Sequence, residues 1–183
     1  ELVTAGVDVI DVSYGHEEVY EAAPNRSISV CLNGDEPMGT FSSSYAQAFK
    51  RRLSVPVIAV GRINHLKVAE EILSQGKADM INVGRQLLAD PYWPQKIASG
   101  ALEDINPCLA CNECILTFRE ERAPIKCAVN ASLGKEAEYQ IKPAEKAKKV
   151  LVVGGGPAGM EAARVAAQRG HNVTLVDKGS RLG

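Results

Sequence analysis

Four of the five cysteines in the 183 residues, Cys108, Cys111, Cys114 and Cys127, follow a C-x2-C-x2-C-x12-C spacing. Two-residue gaps let three thiolates converge from one tight loop, and a fourth can return from a later segment to complete a four-ligand shell. Such a shell suits an iron–sulfur cluster. C-x2-C spacing also serves tetrahedral zinc, and disulfides or inert thiols are the remaining reading. Three cysteines in succession, each two residues apart, are more typical of a cubane cluster than of paired zinc knuckles. Cys31 stands apart and reads as an ordinary free thiol.

A second constellation is Gly154-Gly155-Gly156-Pro157-Ala158-Gly159, a G-x-G-x-x-G turn with Asp177 eighteen residues after its last glycine. Gly154, Gly156 and Gly159 would serve a tight turn, close approach of a pyrophosphate, and close packing of helix on strand. The N-H groups of the following helix favour phosphate, and Asp177 would accept hydrogen bonds from ribose hydroxyls. The alternative is a glycine turn with a structural role alone. Two Gly-Arg pairs, Gly61-Arg62 and Gly84-Arg85, lie 23 residues apart. Each follows a strand-like run, as in the phosphate cup at the C-terminal face of a (β/α)8 barrel; solvated arginines at helix starts are the plainer reading. His16 lies just beyond another such run and is placed as a proton donor or a ligand of a substrate oxygen, or else as a surface residue.

These residues need elements to position them. Residues 3–99 alternate short β-branched runs with amphipathic stretches, the pattern of parallel β/α units. Strands are expected at 7–12, 56–60 and 79–83, and helices at 45–53, capped by Ser44, and from Asn64, as cap, to Gln75, stopped by Gly76. Residues 13–44 are rich in Gly, Pro, Asn and Ser and read as a long functional loop. Residues 90–94 read as packing around Trp93. Periodicity fades through the cysteine segment, and 135–149, with five lysines and Pro143, reads as a linker. Beyond it, strand 150–153, helix 158–169, a stop at Gly170 and strand 172–177 form one βαβ unit.

Composition narrows the class. With 21 basic against 22 acidic side chains, 45 % apolar and 23 % charged residues, the chain has no basic field for nucleic acid or anionic lipid. Its apolar runs fall far short of the roughly 20 residues that span a bilayer. Glu1-Leu2-Val3-Thr4 carries no secretory signal, and a cytoplasmic, reducing setting is expected. The chain opens on a strand and closes soon after another, so it reads as a piece of a longer protein.

Taken in order, residues 56–63 ending in Gly61-Arg62-Ile63, residues 78–91 around Gly84-Arg85, the four cysteines, and residues 152–159 resemble the iron–sulfur flavoenzymes of the old yellow enzyme superfamily. That group includes 2,4-dienoyl-CoA reductase, 2-enoate reductase and trimethylamine dehydrogenase. The resemblance implies an α/β chain made of the C-terminal part of an FMN-binding TIM barrel (1–104), a [4Fe-4S] loop (105–134), a linker (135–148) and the first βαβ of a Rossmann-like nucleotide domain (149–183). It assigns the FMN phosphate to Gly61, Arg62, Gly84 and Arg85, the cluster to Cys108, Cys111, Cys114 and Cys127, and FAD, or ADP in the amine dehydrogenase branch, to Gly154, Gly156, Gly159 and Asp177. His16 matches loosely a histidine carried by the reductases. The implied activity passes a hydride from NAD(P)H to FAD, electrons singly through the cluster, and a hydride from FMN to an activated alkene, an enoate or enoyl-CoA. The implied whole protein is a homo-oligomer. The two-residue gap between Cys111 and Cys114 is closer to the amine dehydrogenase branch, which oxidises an amine and passes electrons to a carrier protein. A zinc and nucleotide module without catalysis is the reading of a different class.

Overall fold

The computed structural model describes residues 1–13, 40–119 and 122–183. His16, Cys31 and most of the expected long loop lie outside the described residues. The chain divides into two units, Glu1–Gly134 and Lys135–Gly183.

In the first unit, β1 (Ile10–Val12), β2 (Val57–Val60) and β3 (Met80–Asn82) form a parallel sheet in that order. The register pairs Ile10 with Val57, Ile58 with Met80 and Val60 with Asn82. Helix α1 (Thr40–Lys50) precedes β2, and α2 (Leu66–Ser74) joins β2 to β3. Parallel neighbours need such crossovers, and the alternation seen in the sequence is their signature. Val57 and Ala59 are wholly buried in β2 and pack with Val12, Ala46, Ile63, Ala69, Ile72, Ala78 and Trp93. The core therefore lies between the sheet and one stripe of each helix.

Two helix starts differ from expectation. α1 begins at Thr40, before Ser44, and buries Ser43 and Ala46; packing against the sheet outweighs the modest preference of serine for a cap. α2 is entered through His65 in extended geometry with no side-chain cap. Asn64 instead turns its amide away, to the carbonyl of Cys108. Gly76 ends that helix as expected, at φ 64° with its N-H on the Leu73 carbonyl. Beyond β3 come α3 (Arg85–Ala89), α4 (Trp93–Ser99), a 3-10 turn at Leu102–Asp104 and α5 (Glu113–Arg119).

In the second unit, β4 (Lys149–Val153) and β5 (Asn172–Val176) pair in parallel across α6 (Pro157–Gln168), with Lys149 opposite Asn172 and Val153 opposite Val176. Val150, Val152, Val173 and Leu175 are half-buried on one face, while Leu151 and Val153 on the other are 64 % and 78 % exposed. Apolar side chains on both faces are the composition of a sheet meant to be covered twice. Among the described residues no helix is long and apolar enough to cross a membrane.

Candidate functional site

Because Val60 and Asn82 are register partners on adjacent parallel strands, both Gly-Arg pairs emerge at the same edge of the sheet. At the end of β2 the backbone takes two consecutive left-handed residues, Gly61 at φ 123° and Arg62 at φ 49°. A non-glycine residue there is held against its preference by its surroundings, which is common at binding sites. At the end of β3, Gly84 is the cap of α3, and a Cβ placed on it would meet nothing within 4 Å. Among the described residues nothing demands glycine there, at the edge the two arginines share.

The cysteine segment is bound to this edge by buried and half-buried polar side chains. Gln86, 2 % exposed, donates to the Asn106 carbonyl at 2.9 Å and accepts the N-H of Cys108 at 2.8 Å. Asn64 donates to the Cys108 carbonyl at 3.0 Å, and Asn130 donates to the Leu88 carbonyl at 2.8 Å. Asp90, 2 % exposed, accepts from Lys96 Nζ at 2.6 Å, from the N-H of Asn106 at 3.0 Å and from the N-H of Tyr92 at 3.1 Å. Burial by itself would raise the pKa of Asp90; the ammonium of Lys96 and the two backbone donors outweigh it and hold the carboxyl below the usual range. Trp93 packs in the core as expected, while Asp90 beside it organises the start of the cysteine segment.

Within that segment Ala110 and Asn112 have φ 53° and φ 60°, so the chain turns sharply in each two-residue gap between cysteines. The Ala110 N-H donates to Cys108 Sγ, with the nitrogen 3.4 Å from the sulfur. The Asn112 carbonyl accepts from Ile115 and Leu116 and so starts α5, whose first turn carries Cys114. The side chain of Asn112, 3 % exposed, accepts a hydrogen bond from the guanidinium of Arg85. The four thiols form no disulfide; Cys114 is buried, Cys108 and Cys127 are half-buried, and Cys111 is exposed. Burial pushes the Cys114 thiol up, the positive charge of Arg85 opposes this, and the neighbouring Cys108 and Cys127 push it up further.

Cys108, Cys114 and Cys127 therefore share one electrostatic neighbourhood. The expected convergence of all four is not closed: among the described residues, no three His, Cys, Asp or Glu side chains lie close enough together to hold a metal ion. Thiolates repel one another, and it is the bond to a metal centre that offsets this repulsion. The donor set nevertheless fits a thiolate-held group, with sulfur donors only, a backbone N-H on one of them and the positive charge of Arg85 acting on the buried one.

In the second unit the three motif glycines have separate roles. Gly154 lies at φ 107° and donates to the Val176 carbonyl at 2.8 Å, so only glycine makes this turn without strain. A Cβ on Gly159 would fall 1.8 Å from the Gly154 carbonyl oxygen, which enforces close packing of α6 on the strand. Gly156 caps α6 at φ −72°, an angle open to any residue, and a Cβ there would meet nothing within 4 Å. No contact among the described residues requires Gly156, whereas the approach of a pyrophosphate to the helix start would. Asp177, just beyond β5, accepts the N-H of Gly155 at 2.7 Å and that of Gly179 at 2.6 Å. These donors, Gly155 foremost, lower its pKa. A carboxylate has about four acceptor positions, so ribose hydroxyls can still be bonded.

Sequence reasoning missed Asn64 as a tie, Gln86, Asp90, Asn112, Asn130 and Gly155. One signal was available: Gln86 and Asp90 are polar residues at helical spacing within an otherwise apolar stretch that follows a Gly-Arg pair.

The chain thus holds two α/β units, each with parallel strands, one with paired Gly-Arg turns joined to a cysteine loop and one with a dinucleotide-type glycine turn. Residues 25–104 match the NADH:flavin oxidoreductase / NADH oxidase family, and residues 135–183 match the pyridine nucleotide-disulphide oxidoreductases. These families imply a flavin in the first unit and FAD or NAD(P)H in the second. The chain is 41 % identical over 179 residues to a metal reductase of Desulforamulus reducens, covering 98 % of this chain and 25 % of that protein. It is 47 % identical over 139 residues to a cinnamate reductase of Clostridium sporogenes, covering 76 % and 21 %. A 2-naphthoyl-CoA reductase structure superposes with a TM-score of 0.83 at 36 % identity, over 97 % of this chain and 26 % of that one. By that match and these similarities, residues 25–104 are a segment of the NADH:flavin oxidoreductase / NADH oxidase family. The chain spans about a quarter of the length of the curated relatives it matches.

Proposed function

We propose that this chain is part of an NAD(P)H-dependent flavin and iron–sulfur oxidoreductase that reduces an activated C=C bond of an enoate or enoyl-CoA type substrate. Residues 1–104 would be the C-terminal part of an FMN-binding barrel, 105–134 the cluster loop, and 149–183 the start of the FAD domain. The observation that carries this reading is the junction of the phosphate-cup edge with the cysteine segment, through Arg85–Asn112 and Gln86–Cys108. It supports this reading because an electron relay would need its flavin anchor and its thiolate loop on one scaffold.

Gly61, Arg62, Gly84 and Arg85 would hold the FMN phosphate, the arginines by charge and the glycines by leaving room for it. Cys108, Cys111, Cys114 and Cys127 would hold a [4Fe-4S] cluster, with Gln86 and Asn64 fixing the backbone at Cys108. Gly154, Gly156, Gly159 and Asp177 would seat the adenosine diphosphate portion of FAD. When bound, these groups supply hydride and single-electron chemistry between NAD(P)H and the alkene. His16, outside the described residues, is the candidate proton donor to the substrate. A small-molecule substrate accords with the named activities of cinnamate reductase and 2-naphthoyl-CoA reductase.

The second reading, an amine dehydrogenase that passes electrons to a carrier protein, is favoured by the two-residue gap between Cys111 and Cys114. Anaerobic purification followed by iron, acid-labile sulfide and zinc analysis tests the cluster. About four irons and four sulfides per chain are expected, and zinc without sulfide would overturn the relay. Flavin bleached by an amine, and restored by no alkene, would move the assignment to the amine branch.

A further inference from the structure

Arg85 stands one residue after the glycine at the end of β3, on the edge assigned to the flavin phosphate, yet its guanidinium is already bonded to the cysteine segment. Its acceptor, the Asn112 side chain, is buried and sits at φ 60° in the gap between Cys111 and Cys114. Asparagine is among the few side chains that take this left-handed conformation, and here the turn is also held by a charged hydrogen bond from an element 27 residues away. A guanidinium has five N-H donors in a rigid fork, so one bond to Asn112 leaves donors for an anion at the strand edge while fixing the direction of the fork.

We propose that Arg85 and Asn112 form a coupling pair: the cysteine segment aims the arginine at the flavin phosphate, and the bound phosphate in turn orders the turn between Cys111 and Cys114. Arg85 is thus a positioning residue for the thiolate loop as well as a phosphate ligand. The inference rests on the phosphate-cup reading of Gly84 and Arg85. By linkage, whatever loosens the loop must weaken phosphate binding, and loss of the anion must loosen the loop by the same factor.

The test uses the anaerobically purified holoprotein with Asn112→Ala and Asn112→Asp, alongside Arg85→Ala. FMN affinity is read by flavin fluorescence, the loop by iron and sulfide retention under a chelator, and folding by circular dichroism. Asn112→Ala, a change in the cysteine loop, should weaken FMN binding about tenfold, the value of one charge-assisted hydrogen bond. Asn112→Asp keeps an acceptor for Arg85 and should retain FMN. Removing FMN from the wild type should speed iron loss to the rate seen in Asn112→Ala. If Arg85→Ala loses FMN while Asn112→Ala binds it as the wild type does, the coupling is refuted and the cup stands. If Arg85→Ala keeps FMN at full occupancy, the cup itself is wrong. Misfolding of Asn112→Ala would shift the decision to wild-type iron loss with and without FMN, where equal rates would refute the coupling.

Discussion

Replacing Gly156 and Gly159 separately by alanine separates a glycine kept for a ligand from one kept for the fold. At Gly159 the new Cβ would lie 1.8 Å from the Gly154 oxygen, so helix and turn must part by more than an ångström. Both partners are backbone and neither can swing away. Overpacking of this kind costs about 1–3 kcal/mol or more, and a gain of about 1 kcal/mol in helix propensity offsets part of it. Gly159→Ala should therefore destabilise the second unit by about 1–2 kcal/mol, toward the upper end because both clashing groups are backbone. At Gly156 the angle is allowed and the space empty. The poorer capping of alanine, about 0.5–1 kcal/mol, is balanced by the lower entropy of its unfolded chain, about 0.4–1 kcal/mol. Stability should change by less than about 0.5 kcal/mol, while the methyl group occupies the path of a pyrophosphate and weakens ADP binding about 100-fold, or 2.7 kcal/mol. Urea unfolding and calorimetric titration with ADP read the two effects. A folded Gly156→Ala variant that binds ADP like the wild type would refute the assignment of the turn.

Three further outcomes are expected. Asp90→Asn leaves Lys96 without its counter-charge and turns an NH2 group toward one of the backbone donors, and should lower the stability of the first unit by about 2–4 kcal/mol by urea unfolding. Because the folded pKa of Asp90 lies below its unfolded value, the unfolded state binds more protons near pH 4; its stabilisation is complete above that pH and is lost as pH falls further, a dependence that should shrink in the asparagine variant. Cys111→Ser should abolish iron and sulfide incorporation but leave ADP binding unchanged, and wild-type iron content would remove Cys111 from the ligand set. Asp177→Ala should weaken ADP binding by freeing the N-H groups of Gly155 and Gly179, and the wild-type carboxylate should keep its hold on them in acid below the ordinary titration range of aspartate.

What could be read along the chain was local. The strands around Ile10, Ile58, Ile81, Leu151 and Thr174, the stop at Gly76 and the glycine turn before α6 follow from hydrophobic period and turn chemistry, which act over a few residues. Gly154 and Gly159 could be assigned from their spacing because the G-x-G-x-x-G geometry is itself a local object. The cysteine spacing likewise marked out the cysteine loop, but not which thiols would be buried.

Tertiary structure decided the partners. Asn64 has the composition of a helix cap, and only the approach of Cys108, 44 residues on, makes it a tie to the loop. Gln86 meets Cys108 across 22 residues, Asn130 meets Leu88 across 42, and Arg85 meets Asn112 across 27. No window a few residues wide contains both ends of such a bond. The register of β2 on β3 likewise brings two Gly-Arg pairs to one edge, a consequence of strand pairing that neither segment carries alone. A hydrogen bond between distant residues exists only once the core has brought their elements together, so the residue types that could react were written in the sequence and their working arrangement was set by packing.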